Sequence, residues 1–193
     1  MISMKTLLLA SQSPRRGELL RQINIDFETL AVDVDEAPKM GEAPADYVLR
    51  LALAKARVGW AQSNQTLPSL GADTAVVIDY KIFGKPRDRA HAVEMLGMLS
   101  ARTHNVLTAV ALVDSQGETT KLVTSNVRFR KLNSAEIADY WESGEPQGKA
   151  GAYAIQGFGA TFVEHLEGSY SGVMGLPLFE TAALLRDAGV FGS

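Results

Sequence analysis

Hydrophobic positions along the chain switch between short unbroken runs and helical spacings, and the two periods mark out the elements. Residues 6–10, Thr-Leu-Leu-Leu-Ala, form an apolar run that predicts a buried first strand. Leu19, Leu20 and Ile23 then recur with helical spacing behind Ser13 and Pro14, a natural N-cap and first-turn pair. Residues 27–34 predict a second strand, with Phe27, Leu30, Val32 and Val34 apolar. A long helix is predicted from Pro44 to about Asn64, with Val48, Leu51, Lys55 and Val58 on one face. Residues 70–78 read as a buried strand, and Asp79-Tyr80-Lys81 as a turn into a return strand that ends at Lys85. Residues 88–99 predict an amphipathic helix, and 106–113 and 122–132 a pair of β-branched strands. A short helix capped by Ser134, a strand over 161–166, a turn over 167–172 and a helix over 176–188 complete the chain. The prediction is a mixed α/β fold in one domain over residues 1–193, without repeat or linker.

Composition narrows the chemistry. Apolar residues make up 46% and charged residues 21%, as in ordinary globular proteins. A net charge of −3 gives no overall basic field for a nucleic-acid polymer or an anionic membrane. The absence of cysteine excludes disulfides, thiolate metal sites and cysteine nucleophiles. The apolar run in residues 1–10 is too short to span a bilayer and carries no clear cleavage pattern, so the expected compartment is the cytoplasm.

Four places break the packing pattern. Asp73 lies inside an apolar strand, where it is either an edge-capping carboxylate or a metal-binding or proton-accepting one. Arg15 and Arg16 occupy a first helical turn, where the helix dipole opposes cations; with Ser11, Ser13 and the backbone N–H groups they make either a polyphosphate cradle or a solvated helix start. Asp33, Asp35 and Glu36 crowd a strand end as a polar loop or as oxygen ligands for a hard cation. Lys85 is fixed between Gly84 and Pro86. Lys55 sits on a stripe that should be buried, and either snorkels to water or points its charge into a cleft. Residues 148–159 are rich in glycine and contain Gln156, whose amide can both donate and accept toward a base edge. His104 has no evident partner. Together these features suggest metal-dependent chemistry on a phosphate ester or anhydride.

Five blocks carry a family resemblance: residues 9–16 (LASQSPRR), 71–74 (GADT), 84–86 (GKP), 149–157 (KAGAYAIQG) and 175–177 (GLP). In this order they resemble the Maf family of nucleoside triphosphate pyrophosphatases, over about residues 6–188. The resemblance implies an elongated, twisted mixed sheet with flanking helices, related to the inosine triphosphatases, with a cleft between two lobes and usually a homodimer. It implies hydrolysis of the α–β phosphoanhydride to a monophosphate and pyrophosphate, with a divalent cation, Mg²⁺ or Mn²⁺. Asp73 matches the family's proton acceptor. Arg15, Thr74 and Gln156 match the substrate-selecting positions, in the pattern of the subgroup acting on dTTP and UTP. Glu36, Lys55 and Lys85 fall at charged site positions, with Glu36 and Asp73 on the metal side and Asp35 the alternative to Glu36. A non-catalytic nucleotide-binding regulator of septum formation, or a pyrophosphatase for modified purines such as 7-methyl-GTP, are the competing expectations.

Overall fold

The computed structural model describes residues 6–190; the reading of residues 1–5 as free of a targeting signal lies outside them. Seven strands form one mixed sheet: β1 (Leu7–Ala10), β2 (Phe27–Leu30), β3 (Ser69–Ile78), β4 (Lys81–Phe83), β5 (Thr103–Asp114), β6 (Gly117–Phe129) and β7 (Val163–Glu167). The order is β2-β1-β3-β5-β6-β7, with β4 also on β3. The β1–β2 and β1–β3 pairs are parallel and the rest antiparallel. The helices are α1 (Pro14–Gln22), α2 (Pro44–Gln62), α3 (Arg89–Leu99), α4 (Ser134–Glu142), α5 (Tyr170–Met174) and α6 (Leu178–Asp187). The expected mixed α/β architecture is thus what the chain adopts.

Strand β3 organises the molecule. On one edge it pairs with β5 from Ser69 to Val77. On the other it pairs with β1 at Ser69–Gly71 and with β4 at Val76–Ile78. The four residues between, Ala72 to Ala75, face no strand on that edge among the described residues. The β3–β4 hairpin turns through Asp79 and Tyr80, both at positive φ (50° and 61°), the conformation a two-residue turn needs to match strand twist.

Side chains alternate across β3. Leu70 and Ala72 belong to one apolar cluster, with β1, α1 and α6, while Val76 and Ile78 belong to a second, with α3, α4 and Tyr153. Both clusters lie on one face, and Thr74 falls between them. Ala75 and Val77 point to the opposite face, where α2 packs. There, Gly71 lets the helix come close: a Cβ on Gly71 would overlap the backbone of Ala52 and Ala56.

Several element boundaries differ from the sequence prediction. β5 starts at Thr103 and β6 runs Gly117–Phe129 instead of 122–132, because the two strands pair along their full length. α4 is capped by Asn133, not Ser134, the Asn133 side chain accepting from the Glu136 N–H. β2 stops at Leu30 instead of Val34, because the chain leaves the sheet there and carries Val32, Val34 and Glu36 to the cleft wall. The predicted turn at 167–172 contains the start of α5, whose N-cap Ser169 accepts a hydrogen bond from the Gly172 N–H.

Candidate active site

The gap in the β3 edge opens into a cleft of about 730 Å³. Its walls come from the β1–α1 turn, the segment after β2, α2, the residues after β4, and the stretch from Gln147 to Tyr153. Ser11, Ser13, Arg15, Glu36, Lys55, Asp73, Thr74 and Lys85, all expected at the site, line it. Gln156 does not: it is exposed, on a turn three residues beyond Tyr153, which does line the cleft.

The centre is a buried ammonium shared by two carboxylates. Lys55 projects from the α2 face that packs on β3, and its Nζ lies 2.7 Å from Asp73 Oδ1 and 2.6 Å from Glu36 Oε1. The stripe position read correctly, and the charge points into the cleft instead of snorkelling out. Lys85 Nζ stands 3.9 Å from Glu36 Oε2. Asp35 turns away, its Oδ1 accepting from the Ala37 N–H at 2.9 Å, so Glu36 is the acid that enters the site. Burial pushes the Asp73 pKa up, against the opposing pull of Lys55 and Arg16. Burial acts on Glu36 too, but there the hydrogen bond and charge of Lys55 outweigh it and hold the group below its ordinary value. The difference follows exposure: the Asp73 side chain is 11% exposed and that of Glu36 46%.

Arg16 lies deeper than Arg15. Its Nε donates to the Gly175 C=O at 2.8 Å and its Nη1 to Ser11 Oγ at 3.1 Å, while Nη2 reaches Thr74 Oγ1 at 3.5 Å. Burial lowers its pKa, and the charge of Asp73 opposes that shift. Thr108 donates to the Gly172 C=O at 2.7 Å, so in the 3.0 Å contact between hydroxyls Thr74 is the donor. Ser13 holds the N-cap position of α1, but its side chain makes no cap bond; Ser11 Oγ instead accepts from the Ser13 N–H at 3.1 Å. The first-turn N–H groups of α1 thus begin at the cleft without a side-chain cap.

Arg16, expected with Arg15 as part of a polyphosphate cradle or a solvated helix start, lines the cleft. Tyr47 and Lys149 also line it, and neither stands out in the sequence. Tyr47 donates to the Glu36 C=O at 3.0 Å, and burial with the charges of Asp73 and Glu36 pushes its pKa up to about 12. Lys149 has its pKa lowered by burial and by the charge of Arg15, so two cations approach each other at the far end of the cleft. His104, expected to lack a partner, pairs through Nε2 with the Tyr153 hydroxyl at 2.9 Å.

A metal would find two hard oxygen donors in Glu36 and Asp73. Their oxygens already share one cation, the Lys55 ammonium, so their spacing suits a single positive ion. No group of three or more metal-ligating side chains exists among the described residues. Such a two-carboxylate set fits Mg²⁺, which keeps waters and takes phosphate oxygens as its other ligands.

The family model described as Maf-like protein matches residues 6–188. A dTTP/UTP pyrophosphatase of Alkalilimnicola ehrlichii is 56% identical over 184 residues, covering 93% of this chain and 91% of that one. A protein of the same name from Methylococcus capsulatus is 55% identical, covering 95% and 91%. A solved nucleoside-triphosphatase / dITP/XTP pyrophosphatase from Mycobacterium abscessus aligns over 96% of this chain and 95% of its own, with 18% identity and a TM-score of 0.47. The family match across nearly the whole chain and the relatives above half identity lead to one conclusion: the chain belongs to the Maf-like protein family.

Proposed function

We propose that this protein hydrolyses dTTP and UTP to the monophosphate and pyrophosphate. The observation that carries the reading is Asp73: a buried carboxylate with a raised pKa, set in a strand gap beside Lys55 and Arg16, in a cleft that Lys85 also lines. The names of the relatives supply the nucleotide. Arg15, Arg16, Lys85 and Lys149 offset the triphosphate charge, with the α1 N–H groups beside them. Lys55 holds Asp73 Oδ1, leaving Oδ2 to orient a water and take its proton as the water oxygen bonds to the α-phosphorus. The α–β bridging bond breaks, and the electron pair leaves with pyrophosphate. Glu36 and Asp73 would hold a divalent cation, Mg²⁺ or Mn²⁺, which supplies Lewis-acid polarisation of the phosphate oxygens. Thr74, held by Thr108 between the two apolar clusters, and Gln156 belong in this reading to substrate selection. The resemblance adds a homodimer, and the cytoplasm is the compartment proposed for it. Among the described residues no helix is long and apolar enough to cross a membrane.

The test is pyrophosphate release from a panel of dTTP, UTP, CTP, ATP, GTP and 7-methyl-GTP, with and without Mg²⁺ or Mn²⁺. The expected result is metal-dependent turnover with dTTP and UTP foremost. Preference for a purine nucleotide overturns the substrate assignment, and no release from any nucleotide overturns the reaction.

A further inference from the structure

The Gln156 turn is held by a half-buried hydrogen-bond node that none of the family motifs explains. Glu145 follows α4, and its carboxylate gathers three donors. The Tyr140 hydroxyl donates to Oε1 at 2.6 Å, the Gly159 N–H to Oε1 at 3.0 Å, and the Phe158 N–H to Oε2 at 2.8 Å. The Tyr140 hydroxyl in turn accepts from the Ala154 N–H at 3.1 Å. The node therefore grips the chain on both sides of Gln156, at Ala154 and at Phe158–Gly159. A Gly157 N–H to Ala154 C=O bond of 3.4 Å closes the turn.

Two glycines make the arrangement possible. A Cβ on Gly157 would collide with the Glu145 carboxylate, and one on Gly159 would stand 2.7 Å from the Tyr140 hydroxyl. Tyr140 is itself fixed, 1% exposed and edge-on to Phe162 with ring centroids 4.9 Å apart. The node also borders the basic end of the cleft, since Lys149 lies within electrostatic reach of both Arg15 and Glu145. An ionised carboxylate taking three donors is a strong, directional anchor. Here it anchors a turn whose apex side chain, Gln156, is exposed.

We propose that Glu145, acting with Tyr140, is a positioning residue for nucleobase selection: it fixes the 154–159 turn so that Gln156 is presented beside the cleft wall formed by Lys149, Ala150 and Tyr153. This rests on the dTTP/UTP reading above and adds to it the residue that makes a surface glutamine directional. A free turn would let the Gln156 amide sample many orientations and lose discrimination between bases.

The experiment compares wild type, Glu145→Gln, Tyr140→Phe, Gln156→Ala and the Glu145→Gln/Gln156→Ala double variant. The readouts are kcat and KM for dTTP and GTP, thermal melting, and hydrogen exchange of the 154–159 amides. Glu145→Gln is expected to lower the dTTP-to-GTP ratio of kcat/KM about tenfold, mainly through KM, and to speed exchange at Phe158 and Gly159. Tyr140→Phe keeps the ring in the core and is expected to act in the same direction. The double variant should be no less selective than Gln156→Ala alone, because both changes remove the same function. If Gln156→Ala shifts the ratio but Glu145→Gln and Tyr140→Phe leave it unchanged, the positioning role is overturned and the dTTP/UTP reading stands. Additive losses in the double variant also overturn it, since Glu145 would then act elsewhere. If wild type releases no pyrophosphate from dTTP, the functional reading fails first and the inference falls with it.

Discussion

At the scale of single residues, the site turns on one ammonium and two acids that respond to it differently. Lys55 stabilises both carboxylates, yet Asp73 is buried enough for desolvation to win and Glu36 is not. In the proposed reaction Asp73 accepts a proton and must be ionised to do so, and it is protonated below its pKa. Because that pKa is raised, kcat/KM is expected to fall with decreasing pH at values above those of an ordinary carboxylate. Asp73→Asn keeps the oxygen that meets Lys55 and should preserve melting behaviour while losing roughly 10²–10⁴ in kcat. Near-native turnover in that variant would remove Asp73 from the chemistry. Asp73 and Lys55 were legible in the sequence because each contradicts its own periodicity, a charge where the pattern demands an apolar side chain. Tyr47 was not, since a tyrosine on a buried helical face reads as core, and only the fold shows its hydroxyl reaching the Glu36 backbone. That the Ser13 side chain leaves the α1 N–H groups uncapped while Ser11 Oγ accepts from the Ser13 N–H was equally hidden, because two hydroxyls two residues apart at a helix start look alike in one dimension.

At the scale of elements, the decisive contact is α2 against β3. Gly71 has ordinary strand neighbours, but the helix backbone lies where its side chain would be. Gly71→Ala is expected to push α2 off the strand, cost about 1–3 kcal/mol of stability as overpacking does, and draw Lys55 away from Asp73. Unchanged melting and unchanged kcat/KM in that variant would show that the close approach is dispensable. Most helices and strands could be predicted from periodicity, the second strand being overrun by four residues because its alternation continues through Val34 after hydrogen bonding ends. The gap in the β3 edge could not. It depends on where β1 and β4 stop relative to β3, and that register joins segments far apart in the chain. For the same reason the sequence placed Gln156 with the other site residues, whereas the fold sets it on an exposed turn outside the cleft lining.

At the scale of the whole molecule, two apolar clusters on one sheet face flank the cleft, and His104 lies in the aromatic part of one of them. Its ring meets Phe129 and Tyr153 edge-on, and burial lowers its pKa from 6.5 to about 4. The unfolded chain therefore binds a proton that the folded chain refuses, so this group's contribution to stability is full above pH 6.5 and lost as pH falls toward 4. Between pH 6.5 and 5 the loss should reach about 2 kcal/mol. The melting temperature of wild type relative to His104→Gln is expected to fall across that window. The comparison isolates the histidine from Asp73, whose raised pKa acts in the opposite direction. A constant difference between the two proteins would mean that His104 takes up its proton without unfolding cost.

The uneven pairing of β3 has a mechanical consequence. Its β5 edge is laced from end to end, while its other edge is held only at the two extremities. An incoming nucleotide thus meets a stiff floor beneath two independently fastened banks, and whatever give the molecule has on loading must come from the banks.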